Sequence, residues 1–263
     1  MEARMQSKCE RDVQEKVAGD SDRYPTATMK VLSTGSAGNG YILTCGDERL
    51  ILECGVSFNS VLAELVYNIS GVKGVLVTHN HSDHAGCLED YLKFFDVYGC
   101  GEVVEAHKGV KLVEHKKKYK IGGFSVVPLK VPHGGCECLA YVIHHEAMGH
   151  FLFCTDAEEF TYTLKPLPNN VFIECNYLLD VVTDKLAKGE EIRSNYGAHM
   201  ELFDTLKAVS RMRSRDLRNV VLIHKSGTNF DKEKAKAKFA NELQLDVSVA
   251  KKGAVYSLGE CDF

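Results

Sequence analysis

From residue 29 onward, short apolar runs alternate with stretches in which apolar residues recur every third or fourth position. Lys30-Val31-Leu32-Ser33-Thr34-Gly35 predicts a strand, which runs into the small-residue loop Ser36-Ala37-Gly38-Asn39-Gly40. Tyr41–Cys45 and Arg49–Cys54 predict two strands joined by a hairpin turn at Gly46-Asp47. Val61, Leu62, Leu65, Val66 and Ile69 have helical spacing, which predicts a helix over Phe58–Ile69. Gly74-Val75-Leu76-Val77 reads as a buried strand, Gly86–Phe94 as a short helix, and Asp96–Val131 as strand-rich with a hairpin over Tyr119–Val126. Leu139–His144 and Phe151–Cys154 predict another hairpin, and Val171–Glu174 a further strand. Helices are predicted over Tyr177–Lys188, His199–Met212 and Lys232–Glu242, and strands over Val220–Ile223, Val247–Val249 and Ala254–Ser257. Strands followed by helices, twice over, predict an α/β fold of two packed sheets with helices outside: a four-layer αββα sandwich, one domain over residues 29–263. Residues 1–28 are charged and polar without an apolar core, so they read as a flexible leader and not a secretory signal.

An apolar fraction of 44% with 26% charged residues is ordinary for a globular domain with a sizeable core. No run of apolar residues is long enough to predict a membrane span. The ten cysteines lie largely in or beside apolar strands, as Cys54, Cys154 and Cys175 do, which favours free thiols in a reducing, cytoplasmic compartment. Cys136 and Cys138 follow His133 closely enough to be minor candidates for a site. A net charge of −4 does not announce a nucleic-acid binder. Basic residues nevertheless cluster at Lys116, Lys117, Lys118 and Lys120 and again over Arg211–Arg218. The lysines read equally as a solvated edge strand and as a surface for a nucleic-acid backbone.

The concentrated chemistry follows Val77, in Thr78-His79-Asn80-His81-Ser82-Asp83-His84. His79 and His81, two apart on extended backbone, point their imidazoles the same way. Imidazole nitrogen and carboxylate oxygen together suit Zn²⁺, Mn²⁺ or Fe²⁺, and four such groups exceed what one ion needs, which suggests two metals side by side.

H-x-H-x-D-H at the end of an apolar strand resembles the signature of the metallo-β-lactamase superfamily. Three later motifs extend the likeness: His133 in Val-Pro-His-Gly-Gly, Asp156 in Phe-Cys-Thr-Asp-Ala, and His224 in Val-Val-Leu-Ile-His-Lys-Ser. Within the superfamily, Ser33-x-Gly35-Ser36-x-Gly38-Asn39, Thr155-Asp156, Glu174-x-Asn176, Gly197-Ala198-His199-Met200 and His224-x-Ser226 resemble the YycJ/WalJ group of exonuclease-like proteins, related to the tRNase Z and β-CASP nucleases. Tyr177-Leu178 departs from that group, which tends to have His-Asp there. The resemblance implies that His79, His81 and His133 hold one divalent ion, Asp83, His84 and His224 a second, and that Asp156 bridges them. It implies Zn or Mn and a metal-activated hydroxide that attacks a phosphodiester. The expected function is therefore a dinuclear phosphodiesterase, foremost a DNA or RNA nuclease of exonuclease type, with Asp83 counted among its catalytic residues.

A cyclic-nucleotide phosphodiesterase, resembling the lactamase-fold anti-Pycsar enzymes, is the near alternative. A glyoxalase-type thioester hydrolase and a non-catalytic metal- or DNA-binding module are the alternatives of other classes. His199, ahead of a predicted helix, is the candidate general acid for the leaving alkoxide; a packed core histidine is the competing reading. Glu174 reads either as an acceptor fixing a ligand histidine's tautomer or as a strand-end surface acid. Asn176 and Ser226 are weaker candidates. His107, His115, His144, His145 and His150 read as structural or surface residues. The expected partner is a nucleic acid or nucleotide, with no membrane; a homodimer is left open.

Overall fold

A computed structural model describes residues 27–192 and 197–259. Its strands form two seven-stranded sheets. The first contains β1 (Ala27–Ser33), β2 (Gly40–Cys45), β3 (Glu48–Leu52), β4 (Val72–Leu76), β5 (Val97–Gly99), β6 (Lys111–Leu112) and β14 (Val255–Ser257), in the order β14-β1-β2-β3-β4-β5-β6. The second contains β7 (Tyr119–Ile121), β8 (Phe124–Val131), β9 (Cys138–His145), β10 (Gly149–Cys154), β11 (Asn170–Glu174), β12 (Asn219–Ile223) and β13 (Ser248–Val249), in the order β13-β12-β11-β10-β9-β8-β7.

The continuous apolar runs are explained by burial on both faces. In β10 to β12, Phe151, Phe153, Phe172, Val221 and Ile223 join the core shared with the first sheet. Their alternating neighbours Leu152, Cys154, Val171, Ile173, Val220 and Leu222 pack into a second core. Leu206 and Val209 of one helix (Leu202–Arg211) and Ala235 and Phe239 of another (Lys232–Leu243) cover that second core. Phe58 and Val61 of the helix Phe58–Glu64 cover the first sheet. The αββα sandwich expected from the sequence is therefore the observed architecture.

Several boundaries differ from expectation. The first strand begins at Ala27, inside the expected leader; the rest of that leader lies outside the described residues. The helix predicted over 58–69 is only Phe58–Glu64, here α1. After Leu65 the chain turns through Val66 and Tyr67, both at positive φ, because it must reach β4 by Val72 to pair with β3. The helix predicted over Gly86–Phe94 is two single turns, α2 (Ser82–Ala85) and α3 (Leu88–Tyr91). Asp96–Val131 contains a helix that was not predicted, α4 (Gly101–Ala106). The later helices are α5 (Leu179–Ala187), α6 (Leu202–Arg211) and α7 (Lys232–Leu243), each shorter than or close to its predicted range. The Asp231 side chain caps α7 by accepting from the Glu233 and Lys234 amides.

β3, β4, β5 and β6 run parallel to one another, as do β10, β11, β12 and β13. The carboxyl ends of such parallel strands are where open α/β sheets place ligands. Here the chain leaves β4, β8, β10, β11 and β12 through Thr78–His84, His133, Asp156, Glu174 and His224 respectively.

Candidate metal centre

These strand ends converge. On one side His79 Nε2 faces His81 Nδ1 at 3.0 Å, and His133 Nε2 faces the same His81 nitrogen at 3.2 Å. On the other, Asp83 Oδ2 lies 3.3 Å from His84 Nε2 and 3.5 Å from His224 Nε2. Asp156 stands between the two groups. Its Oδ2 is 2.8 Å from His84 Nε2 and 3.3 Å from His224 Nε2, while its Oδ1 lies 3.8 Å from His133 Nε2. All seven residues expected as ligands are thus brought together.

Their ring orientations are set by partners on the far nitrogen. Thr78 Oγ1 holds His79 Nδ1 at 2.9 Å, and His133 Nδ1 donates to the Ala198 carbonyl at 2.6 Å. His224 Nδ1 donates to Glu174 Oε1 at 3.1 Å, and His84 Nδ1 faces Glu53 Oε2 at 3.5 Å. The hydrogen-bonded partners of His79, His133 and His224 fix tautomer and aim the remaining nitrogen inward, whereas at His84 the Glu53 carboxylate acts by charge. The turns themselves are strained: Glu53, Asp156 and His224 all sit at positive φ, uncommon for residues with a side chain. Backbone packing demands a glycine at position 55, where a Cβ would lie 1.7 Å from the Asp83 carbonyl oxygen. Asn39 completes the frame: its amide nitrogen donates to the Asp83 carbonyl at 2.7 Å. Its side-chain Nδ2 lies 2.9 Å from His84 Nε2.

The electrostatics divide the cluster. Burial, with His84 nearby, lowers His79 to about 2, and burial lowers His133 as well, so both are neutral bases with lone pairs turned inward. Burial would also lower His84 and His224. The carboxylates Asp156 and Glu53 outweigh it at His84, and Asp156, Asp83 and Glu174 raise His224 to about 10. Burial would raise Asp83 and Asp156, yet the facing histidines hold both carboxyls well below the usual range. His79, His81 and His133 each turn a ring nitrogen to one spot, all within 4.8 Å of one another, as three ligands of one cation would stand. The donors are nitrogen and oxygen, the set that suits Zn²⁺ or Mn²⁺. The residues therefore fit a divalent metal.

His199 lies in the same pocket, a 290 Å³ recess lined by Ser36, His81, Asp83, His133, Gly134, Asp156, Ala198, His199 and His224. Its Nδ1 donates to Glu174 Oε1 at 2.8 Å and lies 3.3 Å from Asp156 Oδ1. Burial would lower it, but the Glu174 hydrogen bond and charge raise it above the ordinary histidine value.

The metallo-beta-lactamase fold protein YhfI from Bacillus subtilis superposes on 88% of this chain and 99% of its own, with a TM-score of 0.69 at 17% identity. The chain has the metallo-β-lactamase fold. Along the sequence, the exodeoxyribonuclease WalJ of Streptococcus pneumoniae is 23% identical over 86% of this chain and 92% of its own length. The family model for Anti-Pycsar protein Apyc1 matches residues 28–104, the part of this metallo-β-lactamase fold that includes the Gly-rich loop and His79–His84. The Apyc1 of Paenibacillus xerothermodurans is 35% identical over 24% of this chain, a match spanning only 28% of that relative's length.

Glu174 is fully buried and bonds both His199 and His224, so of its two readings the surface acid is excluded. Asn176 donates to the His224 carbonyl at 2.8 Å. Ser226 caps the following turn by accepting from the Thr228 and Asn229 amides, away from the pocket lining. Cys138 Sγ reaches 3.8 Å from His79 Nδ1, behind the ring, whereas Cys136 bonds the His133 carbonyl; the described cysteines are free thiols. Lys116 sits over the Tyr162 ring and Lys117 pairs with Glu114, beside an edge strand of the second sheet. Sequence reasoning missed Thr78, which orients His79, and Glu53, whose buried carboxylate faces His84. His107, read from the sequence as structural or surface, braces the loop between two expected ligands: its Nε2 lies 2.9 Å from Asn80 Oδ1 and its Nδ1 2.7 Å from Glu89 Oε1. No helix among the described residues is long and apolar enough to cross a membrane.

Proposed function

We propose that the chain is a two-metal phosphodiesterase acting on nucleic acid, exonuclease-like in its substrate. His79, His81 and His133 would hold one ion and Asp83, His84 and His224 the other. The observation that carries this reading is the placement of Asp156, almost wholly buried, with one oxygen turned to each group. Bound there, the ions would lower the pKa of water toward about 7 and offset the charge of a phosphate.

The rest of the reaction belongs to the side chains. Five neutral imidazoles with two carboxylates leave the loaded pocket positive, which draws an anionic substrate. Glu174 accepts the hydrogen bond of His199 Nδ1–H, so Nε2 is the nitrogen free to protonate a leaving alkoxide; its raised pKa keeps that proton available near neutral pH. Ser36 and Ala198 wall the pocket and limit which groups approach. The resemblance to WalJ over most of the chain supports linear DNA as the substrate class.

Ring opening of a cyclic mononucleotide is the second reading, favoured by the Apyc1 match and by the small volume of the pocket. The test is metal content by mass spectrometry, followed by a panel of single-stranded DNA, duplex DNA, RNA and cyclic nucleotides with added Mn²⁺ or Zn²⁺. Mononucleotide release from linear DNA, abolished in Asp83→Ala, is expected. Hydrolysis of S-lactoylglutathione alone would overturn the reading in favour of a thioesterase.

A further inference from the structure

Next to the metal pocket lies a second cavity of about 430 Å³, lined by strand β1, Ala37, the Gly55-Val56-Ser57 turn, Ser60, Glu64 and the Lys252-Gly253 turn. The two are lined by neighbouring residues in two places. Ser36 lines the metal pocket and Ala37 the second cavity; Asp83 lines the first, and Gly55, in backbone contact with Asp83, lines the second. A chain lying across the Ser36–Ala37 loop would therefore enter both.

The second cavity has the chemistry of a sugar-phosphate subsite. It is lined by the apolar Leu32 and Val56 and by Ser33, Ser57 and Ser60, the last two hydrogen-bonded to each other at 2.8 Å. Lys30 is neutralised by Glu64 at 3.0 Å, but Lys252 has no carboxylate partner among the described residues. Lys225, whose carbonyl lies beside Gly35, and Lys251, next to Lys252 in the chain, likewise have none among the described residues. By contrast, the lysines Lys111, Lys117 and Lys130 near the far edge of the fold are all ion-paired. Lys116, Lys118 and Lys120 of the densest basic stretch also have no carboxylate partner among the described residues, so what distinguishes Lys252 is its place in the lining of the cavity next to the metal pocket. Its volume falls within the range of roughly 300–1,000 Å³ usual for ligand sites.

We infer that this cavity binds the nucleotide next to the scissile phosphate, so that the substrate is a linear polynucleotide and its backbone crosses the Ser36–Ala37 loop with a phosphate on Lys252. The inference rests on the phosphodiesterase reading and narrows it, since a cyclic mononucleotide has no second phosphate to place there.

Two variants test it, Lys252→Glu and the cavity-filling Ser60→Trp. Binding of a fluorescent single-stranded DNA hexamer is followed by anisotropy across a salt series, alongside kcat/KM for that hexamer and for bis(p-nitrophenyl) phosphate. Each variant is expected to lower the hexamer-to-small-ester ratio of kcat/KM about tenfold, and Lys252→Glu to reduce the salt slope of hexamer binding by about one. Wild type that cuts the hexamer, with both ratios unchanged in the variants, overturns the subsite and leaves the phosphodiesterase standing. Equal losses on hexamer and small ester also overturn it, because no separate subsite then exists. Wild type that cuts neither substrate, whatever metal is added, removes the phosphodiesterase reading and the subsite with it.

Discussion

Glu174 Oε1 accepts from both His199 Nδ1, at 2.8 Å, and His224 Nδ1, at 3.1 Å, so one buried oxygen orients the candidate acid and a candidate ligand together. Replacing it with glutamine keeps the shape but removes the charge that raises His199. Glu174→Gln is expected to lower kcat/KM by about 10- to 100-fold, the usual cost of losing an outer partner. Because His199 then loses its proton at lower pH, the alkaline limb of kcat is expected to move downward; a pH–rate profile with an unmoved limb would show that His199 is not the acid. Glu53→Gln acts at His84 and is expected to weaken metal affinity, measured by competition with a chelating dye, without moving that limb. The seven expected ligands were legible because each polar residue interrupts or follows an apolar run. Glu53 was not, since an acid at the end of Ile51-Leu52 reads as the strand meeting solvent, and only the fold shows that His84 and Thr78 enclose it.

At the level of elements, the strands delivering the site run five to eight residues and are apolar and buried toward their carboxyl ends in β4, β10, β11 and β12, and those features show in the sequence. Short helices show poorly. The α4 run Gly-Glu-Val-Val-Glu-Ala has a β-branched pair at its centre and reads as strand, yet Val103 is held in a helical turn by burial against the first sheet. The α1 periodicity continues past Leu65 in sequence while the backbone does not, because pairing of β3 with β4 claims the next residues. The loops meet as closely as glycine allows. Gly55→Ala would drive a Cβ into the Asp83 carbonyl and is expected to cost about 1–3 kcal/mol, read from urea unfolding, and to reduce metal loading in the same protein. Unchanged stability and loading would mean that the Gly55 and Asp83 turns are not packed as described.

For the whole molecule, the buried histidines couple stability to pH. In metal-free protein His224 is raised to about 10, above its unfolded value of about 6.5. Its contribution is therefore full below about 6.5 and is lost as pH rises through about 10. Thermal unfolding in chelator is expected to show Tm falling across that window. Added Zn²⁺ or Mn²⁺ is expected to raise Tm, more at pH 8 than at pH 6.5, because binding must displace the His224 proton. A Tm that climbs with pH in chelator contradicts the assignment.

His79, His81, Asp83 and His84 hang from the first sheet, while His133, Asp156 and His224 hang from the second. Near them the seam is stitched by Leu139 N donating to the Thr78 carbonyl and by the Tyr141 hydroxyl donating to that of Val77. Cations bound at this rim would work as a clasp on the sandwich, so that amide protons of β4 and β9 near the site exchange with solvent faster once the clasp is stripped, while those at the opposite end of the sheets keep their pace.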